Sequence, residues 1–184
     1  MEQGSGIRAQ GSVEPWLRGT LTEFDPVRRQ VLHALELAGE DIERWCAGLS
    51  DSEMEARPFG IAPVGFHLRH IARSLDRLLS YAEGEQLSGD QLASLSMELI
   101  APATAAATLA EVREAISLAM DRVKQIAPES YGEPRYVGRK RLPTTVGGLL
   151  VHCADHTQRH VGQAVTTAKV LVALRAEFRE PAVG

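Results

Sequence analysis

Five of the six histidines in the chain lie in two short segments, and the longer segment is spaced for metal binding. Residues 151–163, with the sequence VHCADHTQRHVGQ, place His152, His156 and His160 at intervals of four. Each residue of an α-helix advances about 100°, so a step of four returns the side chain to within about 40°, one turn higher. The three imidazoles therefore share an arc of about 80° on one helix face. Two imidazoles at this spacing can chelate a single divalent ion.

The second histidine segment, residues 66–72 with the sequence FHLRHIA, offers a further ligand. One helix alone leaves the coordination shell incomplete, and facing helices of a bundle are the usual source of additional ligands. His67 lies about 60° and His70 about 120° from Val64, the centre of an apolar stripe, so periodicity places His67 deeper in the core. A single histidine beside an apolar face is usually a hydrogen-bonded core residue, but two clusters favour a site. From the residues alone, either His67 or His70 can complete it.

Long helices must position these histidines, and apolar residues recur at helical intervals in four segments of the chain. Asp25 and Pro26 are a typical N-cap and first helical residue, and Gly84 is a typical residue after a helix end. Thr108 and Glu111 have the spacing of a capping box. The predicted ranges of the four long helices are 26–48, 63–83, 108–127 and 145–175, with a shorter helix following residue 88.

Four amphipathic helices of this length favour an all-α fold, a four-helix bundle that buries the apolar stripes against one another. The third and fourth helices are separated by residues 128–145, PESYGEPRYVGRKRLPTT. The glycines, prolines and charges of this segment predict a long irregular crossover loop between those helices. We expect residues 1–14, rich in Gly, Ser and Gln, to be loose, and residues 15–184 to form a single domain.

Composition and charge exclude several classes of function. Hydrophobic residues make up 44% of the chain and aromatic residues only 5%, which favours packed helices over a β-sandwich. A formal net charge of -4 gives no general attraction to nucleic acid. No apolar run approaches the roughly 20 residues that cross a bilayer. Cys46 and Cys153 form no CxxC pair, so we expect a cytoplasmic protein. The charge and the absence of a long apolar run predict that it binds neither nucleic acid nor membrane.

The segments HIARS at 70–74 and HTQRHVGQ at 156–163 carry a further indication. Together they resemble the paired signatures of the DinB-like (DinB/YfiT) superfamily of metal-binding four-helix-bundle proteins. The resemblance implies that His70 of the second long helix joins His156 and His160 of the last as the metal ligands.

Three other side chains are candidates for residues that support these ligands or replace one of them. They are His67, His152 and Gln163. The sequence departs from the family pattern at Val161, where the family often has arginine.

Three neutral imidazoles around Zn²⁺ or Ni²⁺ leave at least one coordination position for water or substrate, which is typical of a catalytic site. Such an ion can lower the pKa of bound water or hold a thiol as thiolate, and the residues alone do not decide between these reactions. The resemblance implies the thiol reaction, since the superfamily includes transferases that use bacillithiol, mycothiol or glutathione on electrophilic substrates. We therefore expect a metal-dependent thiol S-transferase of the detoxification type, with a low-molecular-weight thiol and a small electrophile as partners.

Two other functions use the same histidines. Other members of the superfamily are described as metal-dependent hydrolases, but a hydrolase needs a positioned general base. Thr157, Gln158 and Arg159 stand between His156 and His160, where an HExxH enzyme has its glutamate. The third alternative is a non-catalytic, metal-binding stress-response protein that forms a homodimer through an outer face of the bundle.

Overall fold

A computed structural model of the protein describes residues 13–97 and 104–177. The helices are α1 (Pro26–Cys46), α2 (Asp51–Met54), α3 (Val64–Glu83), α4 (Gly89–Met97), α5 (Ala105–Gln125) and α6 (Val146–Glu177). Short 3₁₀ turns lie at Pro15–Leu17, Pro58–Gly60 and Pro128–Ser130, and the strands β1 (Pro134–Val137) and β2 (Leu142–Thr145) form a hairpin. Most of the N-terminal segment that was expected to be loose, residues 1–12, lies outside the described residues.

Polar side chains fix the starts of the helices that frame the site. The Asp25 carboxylate accepts hydrogen bonds from the backbone N–H groups of Val27 and Arg28 at the start of α1. At the start of α6, Thr145 Oγ1 accepts a hydrogen bond of 3.1 Å from the backbone N–H of Gly148. Each cap satisfies backbone donors that have no partner within the helix. The predicted cap of α1 and the predicted start of the last long helix are confirmed.

The predicted end of α3 and start of α4 are confirmed as well. Gly84 adopts the left-handed conformation, with φ of 88°, directly after α3. Ser88 and Gln91 form a reciprocal capping box, because the backbone N–H of each donates to the side-chain oxygen of the other. The two features turn the chain sharply out of α3 and start α4 close to it.

The four long helices bury their apolar faces against one another. α3 lies against α5 and α6, and α1 lies against the same two helices. Fully buried side chains on these faces include Leu32, Leu35, Ile42, Leu68, Ile71, Leu75, Leu79, Val112 and Leu150. Burial of each such side chain stabilises the fold by about 1.5–3 kcal/mol. The all-α prediction is confirmed, and the contact between α3 and α6 brings the two histidine segments together. Within the described ranges, no helix combines the length with the apolarity that a bilayer-spanning segment needs.

The crossover between the third and fourth long helices differs from the irregular loop expected for residues 128–145. Its second half is an antiparallel hairpin in which Pro134 pairs with Thr145 and Val137 with Leu142. Each strand is only four residues long, too short for alternation to be recognised among the flanking glycines and charges. The hairpin is anchored on α3, where Arg135 Nε donates to the carbonyl oxygen of Ala82 at 2.9 Å.

Helix α5 begins one turn earlier than the capping-box spacing predicts. Thr104 is the N-cap, and its Oγ1 accepts a hydrogen bond of 3.2 Å from the backbone N–H of Ala107. Thr108, the predicted cap, is fully buried inside the helix. The prediction was wrong because residues 105–107 are alanines, the strongest helix formers, and they extend the helix to the next available cap.

Candidate metal centre

Three histidines converge where α3 faces α6. One ring nitrogen each from His70, His156 and His160 lies within 4.8 Å of the other two. Nε2 of His70 is 3.2 Å from Nε2 of His156. The ring centres of His70 and His160 are 4.4 Å apart, and those of His156 and His160 are 4.6 Å apart. All three rings are half-buried, so they are held in place and still reachable from a cavity.

The buried stripe of α6 explains why its histidines point toward α3. Each of the three histidines immediately precedes a buried residue of that helix, namely Cys153, Thr157 or Val161. One residue corresponds to about 100° of rotation, so the imidazoles lie on the shoulder of the stripe. A shoulder position faces the groove between two neighbouring helices, and there α3 supplies His70.

His67 is the most buried of the clustered histidines, with 5% of its surface exposed, as periodicity predicted. Its Nδ1 lies 3.1 Å from Nδ1 of His160, so one ring donates a hydrogen bond and the other accepts it. Burial, and then proximity to His160 and His70, lowers the pKa of His67 to about 4. At neutral pH His67 is therefore an uncharged imidazole in contact with a candidate ligand.

His156 is also held in the neutral form that a metal requires. Burial, followed by the neighbouring His160, His70, His152 and Arg159, lowers its pKa to about 4. A ligand imidazole must offer a lone pair, and a protonated ring has none available. The low pKa keeps His156 ready to bind a cation over the whole neutral range.

The two other predicted site residues lie farther from the cluster. His152 is exposed, and its ring centre is 5.5 Å from that of His156. Gln163 is exposed one turn beyond the cluster and lines a cavity together with His67. Among the hydrogen bonds of residues 13–97 and 104–177, Gln163 makes none to a histidine. The structure does not bring either side chain into the group of three.

Sequence reasoning missed two residues that touch His70. The ring of Phe66 stacks on it, with ring centres 5.6 Å apart and planes inclined by 16°. Ser74 Oγ lies 3.4 Å from His70 Nε2 and accepts a hydrogen bond of 3.1 Å from Arg77 Nη2. Phe66 and Ser74 stand four residues before and after His70, so the spacing that groups the α6 histidines was the available signal.

Two cavities flank the cluster. One has a volume of about 310 Å³, and its walls include His70, His152 and His156. The other has a volume of about 580 Å³, and its walls include His67, Arg159 and Gln163 but none of the three converging histidines. A small molecule in the first cavity therefore touches two of the candidate ligands directly.

Comparison with known protein families identifies the family of the chain. A family model described as the DinB superfamily matches residues 34–164, more than two thirds of the chain and both histidine segments. The chain belongs to the DinB superfamily. The resemblance inferred from HIARS and HTQRHVGQ is thereby confirmed. No curated protein matches the chain.

The geometry of this DinB-superfamily chain fits a divalent ion. Zinc–nitrogen bonds of about 2.0–2.1 Å in a tetrahedral site place neighbouring ligand nitrogens about 3.3 Å apart. The 3.2 Å separation of the His70 and His156 Nε2 atoms is close to that value. Neutral imidazoles suit zinc, copper, iron and nickel. The three close histidines can therefore bind a divalent metal, as a metal-binding DinB protein requires.

The neutral histidines predict how the metal-free DinB chain responds to acid. In the unfolded chain His67 and His156 take up protons near pH 6.5, whereas in the folded chain they do so only near pH 4. The unfolded state therefore binds more protons between these values, and stability falls as the pH drops from about 6.5 to about 4. Above about pH 7.5 these two groups contribute almost no pH dependence.

Urea denaturation midpoints at pH 7.5, 6.5, 5.5 and 4.5 measure this effect. We expect the midpoint to fall only slightly between the first two values and steeply across the last two. His67→Asn removes one of the titrating groups and should flatten the fall. An equally steep fall in that variant would contradict the assignment of His67 as a buried neutral ring.

Proposed function

We propose that this DinB-superfamily chain is a divalent-metal-dependent thiol S-transferase built on a four-helix bundle, with His70, His156 and His160 as metal ligands. The observation that carries the proposal is the convergence of three ring nitrogens from two helices within 4.8 Å, beside a cavity whose walls include His70 and His156. Three protein ligands leave at least one coordination position for a reacting group. Zn²⁺ or Ni²⁺ suits this set of imidazoles.

His67 has a supporting role in this proposal. Metal-bound histidines usually donate their second ring N–H to a hydrogen-bond acceptor, which fixes the ring. With His160 Nδ1 at 3.1 Å from His67 Nδ1, His160 would donate from Nδ1, and its Nε2 would be the atom that holds the metal. His67 can accept because it is neutral at physiological pH. Phe66 stacks on His70 and so restricts the orientation of the His70 ring by packing.

When bound, a divalent ion supplies the Lewis acidity that lowers the pKa of a thiol at its open position. In the transfer, the thiol loses its proton to solvent, and a sulfur lone pair forms a bond to the electrophilic carbon. The bond from that carbon to its leaving group breaks, and the leaving group departs with the bonding electrons. The residues of the chain hold the sulfur and the carbon beside each other, which removes much of the entropic barrier to their encounter.

Hydrolysis by the same histidines receives less support. The three residues between His156 and His160 offer no carboxylate, and two of them are bonded to other residues. Thr157 is buried, Gln158 Nε2 donates to the carbonyl oxygen of Ala34 at 2.6 Å, and Arg159 pairs with Asp155 at 2.6 Å. A hydrolase would have to recruit its general base from another part of the chain.

A bimane assay tests the transferase proposal. Protein purified without a metal-affinity tag is stripped with a chelator, reloaded with Zn²⁺ or Ni²⁺, and mixed with monobromobimane and a panel of thiols that includes glutathione, mycothiol and bacillithiol. We expect one thiol at least to be consumed about tenfold faster by the loaded protein than by the stripped protein, which is about 1.4 kcal/mol of barrier.

Two results would count against the transferase. Stoichiometric metal uptake with inertness toward every thiol would favour the non-catalytic stress-response protein, for which a homodimer is also a proposal. Absence of metal uptake would remove the premise of both the transferase and the hydrolase.

We place the reaction in the cytoplasm, where low-molecular-weight thiols stay reduced.

A further inference from the structure

The cavity of about 310 Å³ beside the candidate ligands has two chemically different ends. His70, His152 and His156 form one end, next to the side chains of Ser74 and Arg77. The remaining wall is made of apolar or aromatic side chains, namely Leu78, Tyr81, Leu87, Leu95 and Val137. The polar atoms therefore lie beside the candidate metal ligands, and the rest of the cavity is apolar.

Elements outside the four long helices complete this apolar wall. Leu95 belongs to α4 and Val137 to β1, and both elements are fastened to α3. Gln91 of α4 donates to Asp76 Oδ2 at 2.6 Å and to Ser80 Oγ at 2.9 Å. On the other side, the hairpin is tied down by the bond from Arg135 to a backbone carbonyl of α3. The wall is thus a fixed surface that can select among ligands.

We propose that this cavity binds the electrophile and selects small, uncharged molecules that carry an aromatic or branched alkyl group beside the reactive carbon. The inference rests on the proposed transferase function and names its substrate class. A volume of about 310 Å³ lies at the lower end of the range for small-molecule sites, about 300–1,000 Å³. Each CH₂ group buried against the apolar wall contributes about 0.8 kcal/mol. A charged group against that wall would lose hydration without a counter-ion beside it, because Arg77, the arginine of the lining, lies next to Ser74 at the histidine end.

The orientation of the electrophile follows from the two ends of the cavity. Its apolar group packs against the wall formed by α4 and β1, so its reactive carbon points to His70 and His156. The second cavity, of about 580 Å³, does not reach these ligands through its described walls. The first cavity is therefore the one in which an electrophile meets a sulfur held at the histidines.

Two leucines of α4 make a matched pair for testing the proposal. Leu95 lines the cavity and is 47% exposed, whereas Leu92 is 45% exposed and is not among the cavity walls. Both lie on the same helix, so Leu95→Glu and Leu92→Glu add the same charge at similar exposure. Neither side chain is buried in the core, and circular dichroism with urea denaturation checks that both variants stay folded.

The probe is 4-fluorobenzyl alcohol, an unreactive molecule with the proposed shape, and its binding is followed by ¹⁹F NMR titration. Metal-free and Zn²⁺-loaded protein are both titrated, as wild type and as each variant. We expect wild-type protein to bind the probe in both states. Leu95→Glu should raise the Kd at least about tenfold, or about 1.4 kcal/mol. Leu92→Glu should leave it within about twofold.

The outcomes separate this inference from the proposed function. Failure of wild-type protein to bind the probe, or equal weakening by the two glutamate variants, overturns the assignment of the cavity. Metal-dependent thiol transfer in that case leaves the transferase standing alone. If the probe binds and depends on Leu95 while no metal is taken up, the cavity assignment stands and the transferase falls. Val137→Ser, from the hairpin side, should weaken probe binding as well, and an unchanged Kd in that variant counts against the proposed wall.

Discussion

Replacement of His156 by alanine is expected to abolish stoichiometric binding of Zn²⁺ or Ni²⁺ while leaving the helices intact. His156 is central to the candidate metal centre, with Nε2 at 3.2 Å from that of His70 and its ring centre at 4.6 Å from that of His160. Four-ligand zinc sites bind with about 10–16 kcal/mol, or about 2.5–4 kcal/mol for each ligand. Loss of one ligand should therefore raise the metal Kd about 100- to 1,000-fold.

Elemental analysis and calorimetric titration of protein purified without a metal-affinity tag measure this loss. His152→Ala is the matched control, because His152 is one turn away on the same helix, exposed, and outside the group of three. We expect it to change the metal Kd by less than about tenfold. His67→Asn should fall between the two, since loss of a residue that orients a ligand costs about 10- to 100-fold in affinity. Full metal retention by the His156 variant would refute the proposed centre.

Periodicity within one helix predicted the part of the site that depends on one helix. The four-residue spacing in α6 placed His156 and His160 on a common face, and the structure has their ring centres 4.6 Å apart. The same reasoning ranked His67 as the deeper histidine of α3, and it is buried. These results follow from helix geometry, which does not depend on the rest of the fold.

Periodicity could not decide between His67 and His70, because the distance between two helices depends on their packing. His67 is more buried than His70. Its Nδ1 contacts Nδ1 of His160, however, so His67 can orient the His160 ring by a hydrogen bond but does not join the group of three. His70 lies on the shoulder of the α3 stripe, and its ring is close to those of His156 and His160. His152 lies on the same face of α6 as His156 and His160 but is exposed. A shared face does not fix the position along the helix axis, and His152 lies one turn away from His156.

The elements that shape the cavity were the hardest to predict. The hairpin consists of strands of only four residues. Its attachment to α3 depends on Arg135, and nothing in the sequence distinguishes this arginine from the other charged residues of the segment. The walls contributed by Leu95 and Val137 follow from these attachments. Sequence reasoning thus located the candidate metal ligands better than the cavity proposed for the electrophile, because the histidines depend on long helices and the cavity depends on short elements held by tertiary contacts.

Glu55→Ala is expected to destabilise the fold by about 3–5 kcal/mol, although Glu55 lies outside the metal centre. The carboxylate makes two hydrogen bonds, of 2.6 and 3.1 Å, with the guanidinium of Arg69, which is 1% exposed next to His70 in α3. Gly65 admits this pair, because a Cβ at that position would collide with Glu55 Oε1. Removal of the carboxylate leaves a positive charge buried in the core without its counter-ion.

Urea denaturation at pH 7.5 measures the loss, and another arginine–glutamate pair supplies the control. Glu43 pairs with Arg113 on the surface, where both side chains are more than half exposed, so Glu43→Ala should cost less than about 1 kcal/mol. If burial of the charge is the cause, Glu55→Leu combined with Arg69→Met should recover most of the stability that Glu55→Ala loses, because neither charge of this pair then remains. Equal losses for Glu55→Ala and Glu43→Ala would show instead that the Arg69 guanidinium finds another partner or reaches water, and the Glu55–Arg69 pair would then contribute little to the position of α3.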